Sequence, residues 1–258
     1  MRMWESPMKT LKLLAAAAVM TLAAQPLAAN PDSKDARFRL AAAASDTAMV
    51  NRLMEDGISV DTANAYGRTA LMMAVEDGRQ EMAGMLISRG ANINRRSANG
   101  LTPLALAAGS GHAGLVAMLI SRGADPQQAT RAGRNALMIS ARFGQIEALG
   151  ELIKVTDELE RTDRKGRTAL ILAAAEGFAP AVEKLAKSGA NVDARDKSGA
   201  TALMIAADRN HLAVVRKLLE LGADPLLEDS EGDTAYEIAR QNGHYRIFKL
   251  LQQAGRIS

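Results

Sequence analysis

Apolar positions along most of the chain fall in pairs of short blocks. LMMAVED (71–77) is followed, after a Gly, by EMAGMLISR (81–89), and such a pair recurs every 33 residues. The blocks are rich in Ala, Leu and Met rather than in β-branched residues. They therefore predict two short helices per period, packed by one face each. Polar, glycine-bearing stretches separate successive pairs.

Glycine punctuates the pattern in three registers. Gly67, Gly100, Gly133, Gly166, Gly199 and Gly232 stand 33 residues apart. Gly57, Gly90, Gly123, Gly189, Gly222 and Gly255 form a second series, interrupted by Thr156. A third runs Gly78, Gly111, Gly144, Gly177, Asn210, Gly243. A fixed period of this length predicts a stacked repeat architecture. Two residues after each first-series Gly come Thr69, Thr102, Asn135, Thr168, Thr201 and Thr234, all good helix N-caps. Ala or Pro103 follows, as suits a first helical turn. The third series holds only Gly and Asn, which predicts positive φ where the first helix ends. The second series ends the second helix. At Thr156 a β-branched residue with positive φ would cost about 1–2 kcal/mol, so a different local turn is expected around KVTDELE.

On the residues NGLTPLALAAGSGHAGLVAMLISRGADP (99–126) and DKSGATALMIAADRNHLAVVRKLLELGADP (196–225), the chain resembles the ankyrin repeat family. The family motif has the form D-x-x-G-x-T-P-L-H-x-A-A-x-x-G-H, then a second helix and G-A-D-V-N. The resemblance implies an all-α solenoid of about seven 33-residue helix-turn-helix units joined by β-hairpin-like loops. Unit boundaries fall near 34–63, 64–96, 97–129, 130–162, 163–195, 196–228 and 229–258, within a repeat domain at 30–258. The first unit has no hairpin Gly and reads as a cap. The His of T-P-L-H is replaced throughout, by Met72, Ala105, Met138, Ile171, Met204 and Glu237. This exchanges a polar tether for apolar packing, with Met filling gaps.

Composition agrees with small, closely packed helices: 48% of the 258 residues are hydrophobic and only 3% aromatic. There is no Cys, which excludes disulfides, thiolate metal sites and a Cys nucleophile. At the N-terminus, Lys9 and Lys12 precede an apolar run from Leu13 to Ala24 and small residues at Ala28 and Ala29. This is the pattern of a secretory signal peptide over residues 1–29, with Met8 a second candidate start. The run is too short to span a bilayer, and no lipid-anchoring Cys follows it. A periplasmic or secreted protein is expected, without stable membrane insertion. Loss of Arg2, Lys9, Lys12 and Glu5 would lower the net charge from +3 to +1, which speaks against a nucleic-acid partner.

GSGHAG (109–114) has the spacing of a dinucleotide-binding loop. It follows Ala/Leu-rich LTPLALAA rather than a strand, and only Gly111 recurs in frame, so it reads as a helix–turn–helix corner. His112, His211 and His244 share one repeat position and lie in different units, which is unsuitable for one metal site. Each is expected to bond within its own repeat. No nucleophile–base cluster stands out. The reading is a non-catalytic scaffold without cofactor or metal.

The resemblance implies protein–protein recognition through hairpin tips and first helices. Candidate partner-binding residues are Tyr66, Arg68, Arg134, Arg142, Phe143, Arg164, Lys165 and Arg167. Asn99 and Leu101 also lie near the tips. Phe143 stands where other units carry Asp77, Ser110, Glu176 or Arg209. It reads either as a ring folded onto its own repeat or as an exposed anchor. Tips 94–101, 127–134 and 160–167 each carry +2, whereas 226–233 carries −4. A monomer that binds a protein with an acidic surface is expected. A secreted effector or toxin-antagonist acting outside the producing cell is the alternative.

Overall fold

The computed structural model describes residues 33–255, so the signal-peptide reading of residues 1–29, and with it the start at Met8, lies outside the described residues. The described chain forms 14 α-helices in seven pairs and no strand. The first members of the pairs are α1 (Lys34–Ala43), α3 (Ala70–Glu76), α5 (Pro103–Ser110), α7 (Ala136–Arg142), α9 (Ala169–Ala175), α11 (Ala202–Asp208) and α13 (Ala235–Gln241). The second members are α2 (Thr47–Glu55), α4 (Gln80–Ser88), α6 (Ala113–Ser121), α8 (Ile146–Ile153), α10 (Ala179–Lys187), α12 (Leu212–Glu220) and α14 (Tyr245–Ala254). Each first helix packs on its own second helix and on the first helices of the neighbouring units.

The caps form as the sequence predicts. The side chains of Thr69, Thr102, Asn135, Thr168, Thr201 and Thr234 each accept from the backbone N–H three residues on, at 3.0–3.4 Å. Gly78, Gly111, Gly144, Gly177, Asn210 and Gly243 all have positive φ. So does Ser45, their counterpart in the first unit. Pro180 lies in the first turn of α10, where its missing N–H is harmless.

One leucine per unit anchors the stack. Leu53, Leu86, Leu119, Leu152, Leu185, Leu218 and Leu251, spaced by 33, are all buried in one continuous core. Burying such a side chain contributes roughly 1.5–3 kcal/mol. Between first helices the equivalent residues are small: Ala74, Ala107, Ser140, Ala173, Ala206 and Ala239 are buried. Small side chains let neighbouring helices approach to the short end of the usual 8–10 Å. Met72, Met138, Ile171 and Met204, in place of the motif's His, are buried among these helices. Glu237 instead reaches back to the N–H and hydroxyl of its own cap, Thr234.

The connections are hairpin-like. Three isolated antiparallel bridges join their stems: Ala63 with Thr69, Arg195 with Thr201 and Glu228 with Thr234. At the fourth unit the back turn departs from the others. Thr156 does not have positive φ, and α8 stops after eight residues, at Ile153, where its neighbours run for nine. The Thr156 hydroxyl instead bridges Gln127 and the N–H of Glu158.

Candidate functional site

A polar acceptor stands at the base of every hairpin tip: Asn64, Ser97, Thr130, Asp163, Asp196 and Asp229, again 33 residues apart. Each takes backbone N–H groups of its own turn. The turns are then tied to one another. Ala98 N–H donates to Tyr66 O at 2.8 Å, Arg131 to Asn99 O at 3.0 Å and Arg164 to Ala132 O at 3.0 Å. Lys197 N–H donates to Lys165 O and Ser230 N–H to Ser198 O, both at 3.0 Å. The tips are therefore one continuous hydrogen-bonded edge rather than six independent loops.

Asp163 is the most constrained of the acceptors. It is only 4% exposed. One carboxylate oxygen accepts from Arg134 Nε at 3.2 Å and from Arg167 at 3.2 and 2.8 Å. The other accepts the N–H groups of Lys165 and Arg167. Burial pushes its pKa up. The donors from Arg167, Lys165 and Arg134 outweigh burial and hold it down at about 2.

This arrangement corrects the reading of the basic belt. Arg134 and Arg167 are half-buried and both paired with Asp163, whose one negative charge offsets one of their two, so neither projects as a free tip cation. Arg68 is likewise paired with Glu76, and Arg142 with Glu176 at 3.2 Å. Arg164 and Lys165 are exposed, as expected of a tip. Tyr66 is 47% exposed.

Phe143 is neither of the two things its sequence position suggests. It caps α7, and its ring lies across the preceding unit, 3.7 Å from where a Cβ on Gly109 would stand. The Arg142 guanidinium covers it at 5.5 Å from the ring centre. It is half-buried between repeats.

The same packing explains GSGHAG. A Cβ at Gly109 would meet Ile139 and Phe143, one at Gly111 would meet Gln145 and one at Gly114 would meet Gln80. The loop's glycines make room for neighbouring units. The histidines, too, bond across repeats rather than within them. His112 Nε2 donates to Glu76 O at 3.0 Å, His211 Nε2 to Ala175 O at 3.1 Å and His244 Nδ1 to Ala207 O at 2.8 Å. Burial lowers the pKa of His112, against an upward pull from Asp77. Gln145 occupies the same position and donates to Gly109 O at 3.0 Å. Among the described residues no group of His, Asp and Glu converges to hold a metal ion. No helix described is long and apolar enough to cross a membrane.

The family model for ankyrin repeats, in three copies, matches overlapping stretches at 11–97, 39–130, 94–163, 113–196, 137–229 and 181–257. The chain belongs to the ankyrin repeat family. No curated protein matches the sequence. Among solved structures, the human ASB11 ankyrin repeat domain superposes with a TM-score of 0.74 at 24% identity, covering 83% of this chain and 96% of that one. That likeness establishes the all-α ankyrin solenoid as the fold. Ankyrin repeats are generally protein-interaction modules, typically non-catalytic.

Two tip cations are missing from the sequence-derived set. Arg131 and Lys197 are exposed and share the repeat position of Arg164. Their signal was the 33-residue spacing itself, which ties them to Arg164 irrespective of the charge of the surrounding segment.

Proposed function

We propose that this ankyrin repeat protein is an exported, non-catalytic scaffold that binds another protein through its tips and first helices. The observation that carries the reading is the tip edge. Arg131, Arg164, Lys165 and Lys197 are exposed on it, enter no ion pair among the described residues, and are held in fixed register by inter-unit hydrogen bonds. A rigid row of exposed cations favours an acidic partner surface, because such charges add to the field that steers association. Periplasmic or secreted placement rests on the Lys-flanked apolar run at residues 9–24. A photo-crosslinking residue at Asn99 or Ala132 should capture a protein partner in the native host. One at Arg216, on the exposed side of α12, should not. Crosslinks arising only from α12 would move the interface to the second helices. Intact mass of the native protein tests export: cleavage after Ala28 or Ala29 is expected, and a chain retaining Lys9 and Lys12 would refute it.

A further inference from the structure

We propose that the tips of units four to six form a ruler for an acidic segment in polyproline II conformation, with a carboxylate at every third residue. The inference rests on the protein-binding reading above and specifies the partner's chemistry. Arg131, Arg164 and Lys197 occupy the second position of three consecutive tip turns, 33 residues apart in sequence. Each of their N–H groups is bonded to the preceding tip, so the three Cα positions cannot slide relative to one another. Stacked helical units repeat at about 8–10 Å. A polyproline II chain advances about 3.1 Å per residue with three residues per turn. Every third side chain therefore faces the same way, about 9 Å from the last. In a β-strand, residues three apart point to opposite faces, so a strand cannot present this spacing to one edge.

The ruler has defined ends. On one side the equivalent positions are Ala98 and Ala65, which carry no charge. On the other, Ser230 is followed by Glu231 and flanked by Glu228, Asp229 and Asp233, which would repel an acidic segment. Three steps remain, matching seven residues with carboxylates at the first, fourth and seventh. Acids beside the cations form no ion pair with them among the described residues. Asp163 is saturated by Arg134 and Arg167, and one oxygen of Asp196 is taken by the N–H groups of Ser198 and Ala200 and the Ser198 hydroxyl. Lys165, next to Arg164, adds a second cation at the middle step. The residues that follow the cations in their turns are Ala132, Lys165 and Ser198, none of which presents a large apolar side chain. An amphipathic helix, whose apolar face needs burial, gains little there. A polyproline II chain keeps its backbone solvated and presents only its carboxylates.

The test uses the mature chain and four synthetic probes. They are the peptide EPPEPPE, its isomer EEEPPPP, a helical peptide with Glu seven residues apart, and oligo-dT. Binding is followed by chemical shifts of the tip amides, at low ionic strength and at about 0.15 M salt, where screening acts beyond about 8 Å. EPPEPPE should bind about tenfold more tightly than EEEPPPP, since two of three exposed pairs are lost when the carboxylates fall out of register. Arg164→Gln should remove most of that preference without altering the melting temperature, and Arg95→Gln, outside the ruler, should leave it intact. Equal binding of the two isomers, preference for the helical peptide or oligo-dT, or no binding at low salt would each overturn the ruler. If crosslinks still arise from the tips, the protein-binding reading survives that result. Crosslinks confined to α12 would remove the reading and the ruler with it.

Discussion

At the tip edge, Gly67, Gly100, Gly133, Gly166 and Gly199 have positive φ, and a Cβ there would lie 2.7–3.1 Å from a backbone nitrogen of the next tip. At the back edge, Gly57, Gly90, Gly123, Gly189 and Gly222 have positive φ too, but a Cβ would meet nothing within 4 Å. The two series look alike in sequence. One answers to a neighbour's backbone as well as to the chain's own conformation; the other answers to conformation alone. This is why the back edge can lose its Gly at Thr156 by changing one local turn. The tip edge could not, because the cation-bearing tips lie against their glycines: Arg164 against Gly133 and Lys197 against Gly166.

The largest contrast should come from matched substitutions. Gly166→Ala combines the left-handed penalty with a clash against Lys197, about 2–5 kcal/mol together. Gly189→Ala should cost only the conformational part, about 1–2 kcal/mol. Chemical denaturation of both variants measures the difference. Equal losses would remove the distinction between the edges.

Next in size is Asp163, which pins the tip edge from below. Asp163→Asn leaves Arg134 and Arg167 half-buried without their counter-charge and should cost roughly 1–3 kcal/mol near neutral pH. The folded carboxyl titrates at about 2, below its ordinary 3.8. Its contribution is thus fully present above about pH 4 and is lost as pH falls toward 2. The stability gap between wild type and Asp163→Asn should close over that window. A gap that stays constant down to pH 2 would mean that the carboxylate does not hold the two arginines.

The back edge supplies a smaller, local test. Ala91, Ala124, Ala190 and Ala223 donate to Leu86, Leu119, Leu185 and Leu218 after the second helix, whereas Asp157 makes no such bond to Leu152. Amides in 150–162 should therefore exchange faster than those in 117–129. Equal protection would show that Thr156 costs the stack nothing.

The smallest effect concerns His112. Burial holds its pKa below the ordinary 6.5, so its contribution is present above about pH 6.5 and is lost as pH falls through the lowered value. His112→Gln keeps the bond to Glu76 O, as Gln145 does with Gly109 O, and removes the titration. The mildly acidic slope of the melting temperature should flatten in the variant; an unchanged slope would assign it to other groups.

Sequence alone determined the period, the caps, the helix ends and hence the all-α solenoid. These depend on local chemistry: a Thr or Asn oxygen beside orphan N–H groups, and a Gly or Asn where φ must be positive. Burial of one Leu per unit follows from the same period. It also placed Arg164 and Lys165 on a tip. Tertiary structure alone decided which cations are exposed. Arg134 shares a charge segment with Arg131, and Arg167 shares one with Arg164, yet both are drawn onto a single buried Asp163 between two units, and the pairing spans 29 residues in one case. Phe143 was illegible for the same reason: its ring lies on Gly109, 34 residues away. The histidine bonds and the spare glycines of GSGHAG likewise became legible only with the next unit in place. A repeat sequence encodes each unit's own backbone. Which side chains remain exposed is set between units, where Coulomb pairing and steric fit depend on what the neighbouring repeat presents.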